Sequence, residues 1–74
     1  MGIDRAAPTP LYQQLAARLR DQIAAGQLSG QIPSIVRLAE EYDLAEVTVR
    51  SALNVLRDEG LLEFVPGRGT FVRG

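Results

Sequence analysis

The chain has 74 residues and a formal net charge of −1, and it contains neither cysteine nor histidine. These absences exclude disulfides, thiolate and imidazole chemistry and nearly all zinc sites, while 46% hydrophobic residues indicate one small globular domain. No apolar run is long enough to cross a bilayer, and the N-terminus lacks the pattern of a signal peptide. All eight positive charges are arginines. Nucleic-acid-binding domains are usually basic, so any DNA binding must depend on where these arginines lie.

The first helix is predicted after a short arm. Residues 1–8 show no periodicity, so we expect a flexible arm followed by a single domain over residues 9–74. Thr9 is predicted as the N-cap, with Pro10 at the first helical position. Leucine or isoleucine then recurs every fourth residue up to a stop at Gly26: Leu11, Leu15, Leu19 and Ile23. The charged residues off this stripe are expected to form a solvated face: Arg18, Arg20 and Asp21.

A second helix and a tight turn follow. Ile32 is expected to form a brief extended segment, and Ser34 is the predicted N-cap of a helix that runs to about Tyr42. Asp43 stands where the turn needs a positive φ, which aspartate tolerates better than most residues. Leu44 is expected to enter the core. The next helix begins about three residues later, so the spacing predicts a helix-turn-helix.

The third helix is predicted over about residues 45–59, and Gly60 ends it. Its buried face has the spacing of one side of an α-helix: Val49, Ala52, Leu53 and Leu56. Its other face carries mostly short polar side chains and arginines: Glu46, Thr48, Arg50, Ser51, Asn54 and Arg57. Periodicity alone leaves two interpretations open, namely a helix that reads a DNA groove and an ordinary surface helix.

The last part of the chain has the pattern of a β-hairpin. Residues 61–65 form a short apolar run, the Pro66-Gly67-Arg68-Gly69 stretch forms a tight tip, and residues 70–72 return as a second strand. The predicted fold class is therefore mainly α with a small β-hairpin. The order of three helices followed by a β wing is that of a winged helix-turn-helix.

Five short segments of the chain form a specific pattern through their order and spacing: Pro10-Leu11-Tyr12-Gln13-Gln14, Pro33-Ser34 with Leu38-Ala39, Thr48-Val49-Arg50 with Ala52-Leu53, Glu59-Gly60-Leu61, and Gly67-Arg68-Gly69-Thr70-Phe71-Val72. Through these segments the chain resembles, from about Thr9 to Val72, the DNA-binding domain of the GntR family of bacterial transcriptional regulators.

The resemblance implies a non-enzymatic cytoplasmic regulator, associated with the bacterial nucleoid, that binds palindromic operator DNA as a dimer and uses no cofactor. Helix 45–59 would enter the major groove, and the wing tip at residues 66–70 would meet the minor groove or the backbone. We expect no effector domain for small molecules within these 74 residues. The candidate DNA-binding residues are Ser34, Arg37, Glu46, Val47, Thr48, Arg50, Ser51, Asn54, Arg68, Gly69 and Thr70.

Two departures from the family pattern favour a different function. Val36 stands where an arginine is usual, and Glu46 stands near the start of the third helix where another is usual. Glu46 either repels phosphate or accepts a hydrogen bond from a cytosine amino group, and it is also spaced to pair with Arg50. The alternative function is a winged-helix module that binds another protein and binds DNA weakly or not at all.

Overall fold

The computed structural model describes residues 3–73, so Met1, Gly2 and Gly74, which belong to the predicted arm and the chain end, lie outside the described residues. The helices are α1 (Leu11–Ala24), α2 (Ile35–Tyr42) and α3 (Glu46–Asp58), followed by strands β1 (Leu62–Val65) and β2 (Gly69–Val72). The strands pair antiparallel, with Leu62 opposite Val72 and Val65 opposite Gly69. The predicted winged helix-turn-helix architecture is confirmed. Within residues 3–73, no helix combines the length and the apolar character that crossing a membrane requires.

Helix α1 begins one residue later than the sequence predicted. Pro10 is the N-cap, with an extended ψ of 146°, and its carbonyl accepts hydrogen bonds from the N–H groups of Gln13 and Gln14 at 3.1 Å. The prediction of Thr9 as N-cap is therefore wrong. The Thr9 carbonyl instead accepts a hydrogen bond from the Gln14 side-chain amide at 2.8 Å. A glutamine side chain thus satisfies the backbone just before the helix.

The core lies where α1, α2 and the start of β1 pack against the apolar face of α3. The apolar stripe of α1 is buried at its centre, and the face of α3 identified in the sequence is at most 1% exposed. The buried residues are Leu15, Ala16, Leu19, Ile32, Leu38, Ala39, Leu44, Val49, Ala52, Leu53, Leu56 and Leu62. Because α3 uses one face for this core, its opposite face is left available for another molecule.

The turn between α2 and α3 has the geometry expected from its residues. Ser34 caps α2, and its hydroxyl accepts a hydrogen bond from the Arg37 N–H at 3.2 Å. Asp43 ends the helix with a φ of 54°, and the Leu44 N–H donates to the Ala39 carbonyl at 2.9 Å. This hydrogen bond from Leu44 back to Ala39 closes the C-terminal end of α2. Leu44 itself enters the core and is only 8% exposed. The turn thereby fixes the direction in which α3 leaves.

The wing is joined to the connection between α1 and α2. Gln31 forms an antiparallel bridge with Phe71, and the Ile32 N–H donates to the Thr70 carbonyl at 2.9 Å. On the other side of the bridge, the Val72 N–H donates to the Gly30 carbonyl at 2.8 Å. The extended segment predicted at Ile32 therefore lies along the free edge of β2, joined to it by a single bridge.

Two arginines on the predicted solvated face of α1 also make tertiary contacts. Arg20 forms a two-pronged ion pair with Glu59 just after α3, with distances of 2.8 and 2.6 Å. The Arg18 guanidinium donates to the Tyr42 hydroxyl at 3.2 Å and lies 5.8 Å from its ring centre. The Arg20 hydrogen bond lowers the pKa of the Glu59 carboxyl. These contacts connect α1 to the ends of both other helices.

The described part of the N-terminal arm contacts the helices. The Asp4 N–H donates to Gln14 Oε1, and Gln14 Nε2 donates back to the Asp4 carbonyl, both at 2.8 Å. Arg5 donates to the Asp43 carbonyl and lies 3.7 Å from its carboxylate. Ile3 packs against the core. The arm thus joins the start of α1 to the turn of the helix-turn-helix.

Candidate nucleic-acid interface

The outward face of α3 combines charge, short polar groups and one exposed valine. Glu46, Val47 and Arg50 are exposed, and Val47 is 64% exposed. The remaining polar residues of this face, Thr48, Ser51 and Asn54, are half-buried. Arg50 and Ser51 lie three and four residues after Val47, and Asn54 lies four and three residues after them, so the four occupy neighbouring positions along one side of the helix.

A shallow groove runs beside the first turns of α3. Its walls come from the start of α1, through Leu11 and Tyr12, and from Val47, Thr48 and Ser51. Thr48 and Ser51 are half-buried because the start of α1 lies beside them. Both are therefore less accessible than Glu46, Val47 and Arg50, which are exposed.

The start of α2 presents unused backbone donors. Ser34 accepts from the Arg37 N–H, but the N–H groups of Ile35 and Val36 have no acceptor within the described part of the chain. Such groups at a helix N-terminus favour an anion such as phosphate. Val36 is 50% exposed beside them. This end of α2 therefore combines a potential phosphate-binding position with an exposed apolar side chain.

The wing tip is a tight turn that exposes one arginine. The Arg68 N–H donates to the Val65 carbonyl at 3.0 Å, and Gly67 has a φ of 75°. With Pro66 at the second position and Gly67 at the third, this is the arrangement of a type II turn. Arg68 and Gly69 are exposed, whereas Thr70 is half-buried and its carbonyl is bonded to Ile32.

The arginines fall into two groups according to their partners. Four of them form ion pairs, hydrogen bonds or cation–ring contacts with other groups of the protein: Arg5, Arg18, Arg20 and Arg57. Within residues 3–73, the guanidinium groups of the others have no ion-pair or hydrogen-bond partner: Arg37, Arg50, Arg68 and Arg73. The pairing of Arg50 with Glu46 that the sequence allowed is not formed among these residues. A net charge of −1 therefore coexists with unpaired positive charge on α2, on α3 and at the wing.

Sequence reasoning did not single out two further residues of interest. Arg73 follows β2 at the base of the hairpin, where its N–H donates to the Leu61 carbonyl at 2.9 Å. It is exposed, and no local pattern marked it for attention. Gln31 Nε2 donates to the Arg68 carbonyl at 2.8 Å across 37 positions of sequence. No local signal announces such a contact, because it depends on how the connection between α1 and α2 meets the wing.

The described residues contain no group of carboxylates that could hold a metal ion. The arrangement they do form is a helix-turn-helix whose last helix has an exposed polar face, followed by a wing with an arginine at its tip. This fold and this surface define the winged helix-turn-helix class of domains, which place a helix in the major groove of DNA.

Comparisons with known proteins identify the family. Residues 11–72 match the family described as "Bacterial regulatory proteins, gntR family", so the chain belongs to that family. The HTH-type transcriptional repressor NagR of Bacillus subtilis is 42% identical in an alignment of 74 positions that covers 97% of this chain and 30% of that protein. The repressor MngR of Escherichia coli, of a mannosyl-D-glycerate transport and metabolism system, is 42% identical in an alignment of 66 positions that covers 86% of this chain and 28% of that protein. The chain thus spans about three tenths of the length of these curated relatives.

Solved structures agree with this assignment. YtrA of Sulfolobus acidocaldarius, a GntR-family transcription factor, superimposes with a TM-score of 0.88 and 36% identity, over 97% of this chain and 78% of that one. The DNA-binding domain of AraR in complex with its operator ORX1 gives a TM-score of 0.85 and 27% identity, over 99% of each chain. This chain therefore has the same fold as the DNA-binding domain of AraR, whose structure includes operator DNA.

Proposed function

We propose that this chain is the operator-binding domain of a bacterial transcriptional repressor. Helix α3 enters the major groove of double-stranded DNA, and the wing tip contacts the minor groove or the backbone. The observation that carries the proposal is the partition of the arginines: within residues 3–73, Arg37, Arg50 and Arg68 have no protein partner and lie on α2, α3 and the wing. The repressor names of NagR and MngR and the operator complex of AraR support it.

Each candidate residue has a role that fits its position. Arg50 donates to a guanine edge or a phosphate, and Val47 makes an apolar contact with a thymine methyl group. Thr48, Ser51 and Asn54 bond to phosphate oxygens or base edges from the same helix. Ser34 orients the start of α2, where backbone N–H groups and Arg37 meet a phosphate. At the wing, Arg68 carries the contact, and Gly69 and Thr70 shape the tip.

Binding to an operator with two half-sites requires two copies of the domain. We propose a homodimer on palindromic DNA, because symmetric half-sites bring two identical domains into register. The protein would then work in the bacterial cytoplasm at the nucleoid. A ligand-binding domain lies outside this proposal.

A second candidate function has its own support. Val36 and Val47 are exposed, and Glu46 opposes phosphate at the start of α3. A surface of this kind also suits contact with another protein, in a winged-helix module that does not bind DNA. An exposed valine alone is common on soluble proteins. The unpaired arginines are better accounted for by DNA, so we place this function second.

A titration of a fluorescent random-sequence duplex at several salt concentrations separates the two functions. A domain that neutralises phosphates loses affinity linearly on a double-logarithmic salt plot, with a slope of about −0.9 for each phosphate contacted. We expect a slope of about −3 or steeper for contacts from α2, α3 and the wing. No binding at low salt would reject the DNA function and favour the protein-binding module.

A further inference from the structure

The backbone of the wing tip is held from outside the hairpin by one side chain. Gln31 Nε2 donates to the Arg68 carbonyl oxygen at 2.8 Å. The carbonyl can only accept, so the amide must present its N–H₂ group to it. The Arg68 N–H is already bonded to the Val65 carbonyl within the turn. Both backbone polar groups of Arg68 are therefore fixed, and only its side chain is left to extend from the tip.

Gly69 makes room for this contact. A Cβ atom built on Gly69 would lie 2.7 Å from Gln31 Nε2, which is too close for the amide to keep its place. The φ of Gly69 is 118°, a conformation that side-chain-bearing residues rarely adopt. The glycine thus lets the backbone turn and lets a distant glutamine reach the carbonyl before it.

The base of the glutamine is itself fixed to the sheet. Gln31 is bridged to Phe71, and its neighbours on both sides exchange backbone hydrogen bonds with β2 through Ile32 and Gly30. These backbone contacts do not use the Gln31 side chain, which is exposed. The strand-like segment anchors the residue, while the side chain reaches along the wing to its tip. Removal of the amide should therefore leave the fold intact and release the tip alone.

From this geometry we infer that Gln31 is a positioning residue that orders the wing tip and sets Arg68 for its contact with DNA. The inference rests on the proposed function, because it assigns Gln31 to the same interface. An arginine at the end of a two-stranded ribbon otherwise samples many orientations, and each DNA contact must then offset the cost of ordering it. A tip that is ordered in the free protein contributes its charge at a lower entropic cost.

A double-mutant cycle tests the inference. Gln31→Met keeps the length of the side chain and removes the amide, and Arg68→Ala removes the guanidinium. Affinity for a random-sequence duplex is measured by fluorescence anisotropy for the parent, both single variants and the double variant. In the parent, Arg68→Ala should weaken binding by about eightfold at ~0.1 M salt, as for one lost phosphate contact. In the Gln31→Met background the same change should cost less than about twofold, because coupled residues are non-additive.

Gln27→Met is the matched control. Gln27 is another exposed glutamine of the α1–α2 connection, and its backbone N–H bonds to Gln22 within the end of α1. This variant should leave the full effect of Arg68→Ala in place. Heteronuclear NOE values of the Arg68 and Gly69 amides in the free protein should fall in Gln31→Met and stay unchanged in Gln27→Met. The melting temperatures of both variants should remain close to that of the parent.

The outcomes separate failure of the inference from failure of the proposed function. The positioning role is wrong if Arg68→Ala has the same effect in the parent and in Gln31→Met. It is also wrong if the backbone N–H groups of Arg68 and Gly69 stay ordered once the side-chain amide of Gln31 is removed. If Arg68→Ala has no effect although the parent binds DNA, the inference fails while α3 keeps the proposed function. If the parent binds no DNA at all, both are overturned.

Discussion

Glu46→Arg is the substitution whose outcome the structure constrains most closely. Glu46 is exposed in the first turn of α3, and within residues 3–73 it has no ion-pair partner. The change therefore breaks no salt bridge and disturbs no core contact. Its cost to folding is the loss of a carboxylate at the positive end of the helix dipole and its replacement by a cation, about 0.3–1 kcal/mol. In a domain of this size we expect a fall in melting temperature of a few degrees.

The effect on DNA should be larger than the effect on folding. The substitution replaces a repelled charge by an attracted one at the start of the helix that we place in the major groove. One added phosphate contact should steepen the salt slope by about 0.9 and raise random-sequence affinity about eightfold at ~0.1 M salt. If Glu46 accepts a hydrogen bond from a cytosine in the true operator, affinity for that operator will fall while random-sequence affinity still rises.

Fluorescence anisotropy across a salt series measures both quantities. Asp21→Arg provides the control, because it makes the same change of net charge at an exposed position of α1, outside the proposed interface. It should steepen the salt slope much less than Glu46→Arg. If Glu46→Arg changes neither the random-sequence affinity nor the salt slope, this face of α3 does not meet DNA. The protein-binding function would then become the better account.

Other measurements follow from the same structure. Arg50→Ala should weaken binding by about 1–3 kcal/mol if Arg50 reads a base. Arg68→Ala should weaken binding to every DNA sequence by about the same amount, as expected for a phosphate contact. If both variants bind DNA like the parent at low salt, with unchanged circular dichroism, these assignments are refuted. The free domain should sediment as a monomer at low micromolar concentration and dimerise on its operator, whereas a tight dimer without DNA would contradict the proposed assembly. Because Arg20 lowers the pKa of Glu59, the ion pair stabilises the fold above the ordinary glutamate range and is lost as the pH falls through that lowered pKa. Denaturant titrations of Glu59→Gln at several pH values should therefore show lower stability than the parent at neutral pH and a smaller loss on acidification; a constant difference from the parent at every pH would contradict this.

Local patterns were enough to predict the elements that present the candidate site. Ser34 could be identified as a cap because a serine hydroxyl next to a helix start satisfies a free backbone donor. Asp43 could be placed in the left-handed turn because few residues other than glycine tolerate that conformation. The face of α3 built on Val49 and Leu53 was predictable because helical periodicity separates a buried side from an exposed one. Each of these inferences uses residues that are close in sequence.

The remaining features depend on residues that are far apart in sequence. Arg20 and Glu59 are separated by 39 positions, and nothing near either residue indicates that they meet. The contact of Gln31 with the wing has the same character. The start of α1 was misplaced for a different reason. Pro10 fits both the first helical position and the residue before it, and only its ψ of 146° distinguishes the two.

Selection of bound duplexes from a random pool tests the central claim, that this domain reads operator DNA, most directly. We predict enrichment of a palindrome whose two half-sites are related by the symmetry of a protein dimer, with their centres about one helical turn or a multiple of it apart. Enrichment of a sequence without repeated half-sites would contradict the proposed dimer on DNA. Failure to enrich any sequence, at a salt concentration low enough to retain phosphate contacts, would contradict the claim itself.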